Sequence, residues 1–340
     1  MRSPLNKRLF RELRGEFGKY LVIFILMTLT IGMVSGFLVA DGSMIQAYEE
    51  SFEKYNIENG HFRTEKKMNN AQIQDIEDLG IKLYENYYVE EVLTNGSTMR
   101  IFKNRDEVNK VCLMKGKMPG KPGEIGIDRM YADNNDLSVG DEIESGGHTW
   151  KITGLVALSD YSALFSNNND SMFDSVKFGV SVVCPEEFDS YKADQLNHSY
   201  AWKYNTEPKN EKAEKDISED LMEDVAKEVT LEEFVPRYTN QAIIFTGDDM
   251  GGDRSMMIVL LYIIIVIMAF VFAITTNNTI RKEANVIGTL RASGYTRGEL
   301  IRHYMAAPVF VTFIGAIIGN IIGYTVGKDY CAGLYYGSYS

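Results

Sequence analysis

The chain has 340 residues, 45% of them hydrophobic and 24% charged, with a net charge of −12. These averages blend two chemistries, because three charge-free runs stand out: Tyr20–Ala40, Ser255–Ile280 and Tyr304–Gly327, of 21, 26 and 24 residues. A helix needs roughly 20 apolar residues to cross about 30 Å of hydrocarbon, so a freely soluble enzyme is excluded. The acidic balance excludes a nucleic-acid binder.

Residues 3–19 read as an amphipathic helix: Leu5, Leu9, Leu13 and Phe17 recur every fourth position beside Phe10, and basic residues fill the other face. Such a helix lies in the headgroup layer, in contact with membrane lipid. Residues 20–40 then form the first span, with Thr28, Gly32, Gly36 and Ala40 at four-residue spacing. The run exceeds the 7–15 residues of a signal-peptide core, so a retained signal anchor is expected; cleavage near Ala40 is the alternative.

Residues 41–254 hold 23 basic and 42 acidic groups, net −19. Ser43–Tyr55 continues the first helix, with Ile45, Tyr48, Phe52 and Tyr55 at helical spacing. Strand-like runs follow at Tyr87–Thr94, Thr98–Lys103, Glu124–Asp128, Trp150–Val156 and Lys177–Cys184, separated by turn signals at Asn95-Gly96, Pro119-Gly120, Pro122-Gly123 and Gly146-Gly147. Helix-like stretches are Asn70–Leu79, Pro185–Leu196 and Glu211–Val229. This is a mixed α+β domain. Cys112 and Cys184 either pair or sit as two small buried residues.

Residues 255–280 form the second span, 281–303 a polar loop and 304–327 the third span. The third span carries Gly315, Gly319, Gly323 and Gly327, a ladder along one helix face. Small residues let another helix approach closely, which is how helices associate in lipid. Asn320 is expected to face protein or water, and Pro308 to fall in the first turn or two, where a missing N–H matters least. Residues 328–340 form a tail.

The charges orient the chain. Residues 1–19 carry six basic and two acidic groups, and residues 281–303 five basic and two acidic. Positive charge beside spans stays cytoplasmic, so the N-terminus and the 281–303 loop are expected inside, and 41–254 and the tail outside.

Catalytic motifs are missing from the sequence. Gly116–Lys121 only imitates a phosphate-binding loop, being one residue short and followed by Pro122. The four histidines are scattered, there is no C-x-x-C, and Asp133–Asp136 lacks the glycine and closing glutamate of a calcium loop. No catalytic residue, metal site or cofactor is expected. The loop is the most patterned feature: Val286, Ile287 and Leu290 make an apolar stripe between basic flanks, and Gly294 suits a helix C-cap. On the residues alone it is either a docking element for a partner or a connector carrying stop-transfer charges.

The stretch from Arg281-Lys282-Glu283 through Ile287-Gly288-Thr289-Leu290-Arg291-Ala292-Ser293-Gly294-Tyr295 to Glu299-Leu300 resembles the hallmark loop of the FtsX-like (MacB-type) permeases of ABC transporters, and Ile314–Gly319 resembles the glycine-rich helix that follows it. Gly116–Ile125, Leu137–Ile143 and Trp150–Val156 resemble parts of the MacB-type extracytoplasmic domain. The resemblance implies a membrane protein of three transmembrane helices with a large extracytoplasmic α+β domain, in the plasma membrane of a bacterium. It implies a partner cytoplasmic ATPase that binds ATP and Mg²⁺, with Glu283, Val286, Ile287, Gly288, Leu290, Arg291 and Gly294 in the coupling helix docked on it, and a second permease unit completing a dimer. Relatives extrude peptides, antibiotics or lipoproteins by mechanotransmission. Family permeases have a fourth span, so the chain is expected to be the N-terminal portion of a longer permease. A membrane-anchored sensor of cationic peptides, or an activator of cell-wall hydrolases, is the alternative.

Overall fold

The computed structural model describes residues 14–145 and 147–338. Apart from residues 14–19, the expected amphipathic helix lies outside them. In chain order the elements are α1 (Phe17–Lys54), β1 (Gly60–Thr64), α2 (Asn70–Glu77), β2 (Ile81–Glu85), β3 (Tyr88–Val92), β4 (Thr98–Lys103), β5 (Val111–Gly116), β6 (Glu124–Asp128), α3 (Arg129–Asn134), β7 (Glu142–Ser145), β8 (His148–Leu158) and β9 (Phe178–Val183). There follow α4 (Pro185–Phe188), β10 (His198–Tyr204), α5 (Glu211–Glu228), β11 (Leu231–Pro236), α6 (Gln241–Lys282), α7 (Ala284–Ala292), α8 (Arg297–Ile322) and α9 (Lys328–Ser338). The chain divides into two compact units: a helical one, up to Ile45 and again over Met250–Tyr335, and an α+β one over Gln46–Asp249.

In the α+β unit the described residues form two sheets. The smaller has strand order β11-β1-β10-β2 and is antiparallel throughout. Its register sets Phe62 opposite both Tyr200 and Phe234, so aromatic rings line one face, with Trp202 stacked on Phe234 at 4.7 Å between centroids. Gly60 has to be glycine here: a Cβ would lie 2.3 Å from the Trp202 ring and 2.7 Å from Val235 O. The larger sheet runs β3-β4-β9-β6-β8-β5, with β7 paired to β8. Its β4/β9 and β6/β8 pairs are parallel. Every residue of β6 and β9 is buried, as strands covered on both faces require. Side-chain caps begin the helices: Asn69 and Gln72 form a reciprocal capping box on α2, Asp128 caps α3 and Asn210 caps α5.

Two strands, 98–103 and 124–128, have their expected bounds. The stretch Pro185–Leu196 does not form one helix. It stops at Phe188, where Asp189 caps it, and the chain turns toward β10 through a short 3₁₀ turn at Ala193–Gln195. The three cysteines are free.

Among the described residues three helices are long and apolar enough to cross a membrane, Phe17–Lys54, Gln241–Lys282 and Arg297–Gly337. The last passes through a π-helical turn at Gly323–Gly327, and the tail beyond it is helical as α9. Pro308 lies inside α8, beyond its first turns, because the helix starts at Arg297, ahead of the charge-free run. Asn320 is exposed within this chain, and its side-chain amide donates one N–H to Ala316 O one turn back at 2.9 Å.

Candidate functional site

The sequence-singled glycines fall into one contact. A Cβ on Gly323 would sit 2.6 Å from Gly32 O and 2.8 Å from Gly36 N, and one on Gly319 would sit 2.8 Å from Thr28 O. A Cβ on Gly36 would sit 2.7 Å from the Gly327 carbonyl carbon, one on Gly32 3.3 Å from Gly319 O, one on Gly315 3.3 Å from Met27 Cβ, and one on Gly327 3.2 Å from Gly32 O. The Thr28 hydroxyl lies 3.4 Å from Gly315 O. The α1 and α8 backbones therefore meet along a seam that admits no side chain, which maximises dispersion contact where no hydrophobic drive exists.

Between α6 and α8 the chain forms α7, whose ends are both defined chemically. Gly294 adopts φ +96°, and the N–H groups of Gly294 and Tyr295 donate to Arg291 O (3.1 Å) and Leu290 O (3.2 Å). This is the paired C-terminal closure that favours glycine. Thr296 then caps α8: its hydroxyl accepts from Glu299 N, while the Glu299 carboxylate accepts from Thr296 N at 2.8 Å. Those backbone and hydroxyl hydrogen bonds hold the Glu299 carboxyl below its ordinary range. The result is a nine-residue helix that follows α6 across the single residue Glu283, with helical hydrogen bonds bridging the junction, and ends in a sharp turn at Gly294.

No residue of α7 is buried. Val286 is 37% exposed, and Ile287 and Leu290 are half-buried beside it. Gly288 faces open space, and Arg291 is exposed, one of its N–H groups reaching Tyr295 O. Glu283 differs from this set. It is half-buried and accepts a hydrogen bond of 2.5 Å from the Tyr304 hydroxyl on α8. It fixes the entrance of α7 against α8.

The α+β unit holds a second constellation with no sequence signal. A cavity of about 560 Å³ is lined by Glu58, His61, Arg63, Tyr88, Arg100 and Asp160, among others. At its floor His61 Nδ1 lies 2.6 Å from Glu58 Oε1, and Asn109 Nδ2 donates to Glu58 Oε2 at 2.6 Å. Arg105 binds Asp160 through two parallel bonds of 2.7 Å and Asn86 through a third of 2.8 Å. Burial pushes Glu58 up, but the His61 charge and the hydrogen bonds from His61 and Asn109 outweigh it and hold the carboxyl below its ordinary value. Burial also pushes His61 down, and the Glu58 charge and hydrogen bond override it, so His61 titrates above its ordinary value. Arg100 donates to Glu90, Tyr161 and Ser166 O and lies over the Tyr88 and Phe178 rings. These charges are engaged with one another, and the network ties strands to loops. Among the described residues no group of three or more His, Cys, Asp or Glu side chains is placed to hold a metal ion.

Residues 258–337, which include α7 and α8, match the family described as FtsX-like permease C-terminal. Among solved structures the chain is similar to the periplasmic region of MacB from Actinobacillus actinomycetemcomitans, at 11% identity over 50% of this chain and 86% of that one, with a TM-score of 0.28. It is also similar to the extracellular domain of the noncanonic ABC-type transporter YknZ from Gram-positive bacteria, at 8% identity over 49% of this chain and 93% of that one, with a TM-score of 0.27. No curated protein matches the chain.

Proposed function

We propose that this chain is the permease subunit of an ABC transporter, with α7 as the element that docks on a separate cytoplasmic ATPase subunit. ATP and Mg²⁺ belong to that partner, and this chain carries no catalytic step of its own. A second permease unit completes the assembly, and the work done is mechanical: ATPase closure moves the membrane helices and, through them, an extracytoplasmic α+β unit. The observation that carries this reading is α7 itself. A connector needs no defined ends, whereas α7 is closed at one end by Gly294, tied at the other through Glu283 to Tyr304, and leaves its apolar stripe only partly covered, with Val286 exposed and Ile287 and Leu290 half-buried. It lies inside the segment that matches the permease family. The basic loop and basic N-terminus favour the cytoplasmic side for both.

The experiment uses the permease with its ATPase. Central apolar anchors carry most of an interface's energy, about 2 kcal/mol or more for a hot spot, while rim charges carry little. Leu290→Asp would bury an unpaired carboxylate, so it is expected to release the ATPase or abolish permease-dependent ATP hydrolysis; Lys282→Ala is expected to retain both. An intact complex with normal hydrolysis in Leu290→Asp returns the loop to a plain connector. Orientation is read separately, with single cysteines at Asn95 and Ser293 after replacement of Cys112, Cys184 and Cys331. Only the first is expected to react with an impermeant reagent on intact cells, and equal labelling overturns the orientation.

A further inference from the structure

We infer that the helical unit holds a binding site for the headgroup of a zwitterionic phospholipid bearing a primary amine. A cavity of about 300 Å³ opens where all three membrane helices meet their charged boundary; its walls include Glu16, Lys19, Thr279, Glu283, His303 and Tyr304. Its depth follows from the sequence. Lys19 immediately precedes the charge-free run 20–40, Thr279 lies two residues before Arg281, and His303 immediately precedes the run 304–327. The cavity therefore sits at the lipid–water boundary, where headgroups are, and Tyr20, Ala307 and Pro308 supply an apolar wall beneath it.

The polar wall is ordered. Lys19 Nζ donates to Thr279 Oγ1 at 2.7 Å and to Glu16 Oε2 at 2.8 Å, and Glu283 is held by the Tyr304 hydroxyl. Thr275, Thr276 and Thr279 belong to the polar run Thr275–Thr279 that follows the apolar part of α6, and of that run these three line the cavity while Asn277 and Asn278 do not. An ammonium has three donors, so Lys19 retains one beyond these two contacts.

The charges select the ligand. Two carboxylates, Glu16 and Glu283, share the cavity with the Lys19 ammonium, and Lys282 Nζ approaches Glu16 at 3.9 Å from outside. A headgroup of net negative charge meets both carboxylates, and a simple cation meets the ammonium, each in a partly desolvated site where like charges repel strongly. A zwitterion satisfies both: its phosphate binds Lys19 and the Thr275 and Thr276 hydroxyls, the Thr279 hydroxyl being committed to Thr275 O at 3.0 Å, and its amine binds the carboxylates. The carboxylates accept hydrogen bonds and the charge-assisted ones are the strong ones. A primary ammonium donates them, whereas a quaternary ammonium has no N–H. The site thus selects phosphoethanolamine over phosphocholine and over phosphoglycerol.

The test is native mass spectrometry of the full chain, released from detergent after exposure to equimolar phosphatidylethanolamine, phosphatidylcholine and phosphatidylglycerol. The first lipid is expected to be retained at least several-fold over the other two. Soluble glycerophosphoethanolamine at millimolar concentration is expected to reduce that retention, because the headgroup is what is read; retention unmoved by it overturns the assignment to this cavity. Glu16→Gln is expected to lower phosphatidylethanolamine retention and raise phosphatidylglycerol retention, a change of opposite signs that loss of folding cannot produce. Equal retention of the three lipids by the unaltered chain overturns the proposal without recourse to any variant.

Discussion

Replacing Gly323 by alanine tests whether the seam between α1 and α8 is made of backbone. The new Cβ would lie 2.6 Å from Gly32 O, 2.8 Å from Gly36 N and 2.8 Å from Ser35 Cβ. Carbon contacts are comfortable at about 3.5–4.0 Å, so the two helices have to part by roughly 1 Å. Two of the three obstructing atoms are backbone, which has no rotamer to escape into. A gap of about 0.5–1 Å forfeits a quarter to a half of each dispersion contact. Overpacking of this kind typically costs about 1–3 kcal/mol. The control is Gly333→Ala on α9, where a Cβ meets nothing within 4 Å; alanine there gains up to about 1 kcal/mol of helix propensity. The two substitutions are chemically identical and should shift stability in opposite directions. The assay is thermal loss of helical circular dichroism for the full chain in detergent, with the labelling rate of half-buried Cys331 as a local reporter in a Cys112- and Cys184-free background. Gly323→Ala is expected to melt earlier and label faster. If both variants melt at the same temperature, the seam tolerates a side chain and the argument fails.

Two further outcomes follow from the α+β unit. Gly60→Ala drives a methyl into the Trp202 ring and Val235 O, and is expected to cost about 1–3 kcal/mol, read from denaturant unfolding by tryptophan fluorescence, since Trp150 and Trp202 both lie in this unit. The His61–Glu58 pair gives a pH dependence with a defined sign: the raised His61 contributes fully below its unfolded value of 6.5 and fades as pH rises through its folded one, while the lowered Glu58 contributes above 4.5 and fades as pH falls. The groups bearing on His61 include Glu58, Glu233 and Asp160; the stability difference between the unaltered chain and His61→Gln should therefore be greatest between pH 4.5 and 6.5, and a difference that is flat from pH 4 to 8 sinks the assignment.

The membrane spans are legible in the sequence because their signal is a length without charge set against a fixed hydrocarbon thickness. Gly294 is legible for a similar reason: few residues other than glycine accept a φ near +96°, so a glycine after a short apolar stripe announces a helix end. Four-residue spacing of glycines marks a helix face but does not name what covers it; that Gly323 meets Gly32 and Gly36 is a property of two segments almost 300 residues apart. Glu124–Asp128, read with its observed bounds, is buried along its whole length. The strands with no sequence signal, β1, β2, β5, β7, β10 and β11, are four to seven residues long and each carries at least one charge. Arg63 and Glu233 interrupt their strands because they pair with each other across the sheet at 3.6 Å, a reason visible only after folding. The same holds for the cavity floor. Glu58, Arg105, Asn109 and Asp160 are spread over about a hundred residues and become one network only through the packing of loops. The positive φ of Asn109, at 49°, is the single local trace of it.

Asp41 shows how a buried charge that sequence reading treats as a boundary marker becomes an energetic question. It ends the first charge-free run, and the structure buries it completely, at 0% exposure. Neither carboxylate oxygen has a hydrogen-bond partner, and the facing cation, Arg254, approaches only to 3.9 Å through Nε. The neighbouring Asp253 is engaged instead by the Tyr335 hydroxyl at 3.0 Å. Removing an ion from water is repaid only when the pair geometry is close and the remaining lone pairs are bonded, and here neither condition is met. The Arg254 side chain is 53% exposed, so it keeps its hydration if its partner is neutralised and no buried charge is left behind. Asp41→Asn preserves shape while removing the ion. It is expected to stabilise the helical unit, because the cost of desolvating a charge is removed although the amide stays unpartnered, and to raise the melting temperature. Asp41→Glu keeps the charge and adds a methylene to a closed site, and is expected to lower it. A melting temperature that falls in Asp41→Asn as far as in Asp41→Glu would mean that the distant pairing with Arg254 outweighs desolvation, and would overturn the reasoning.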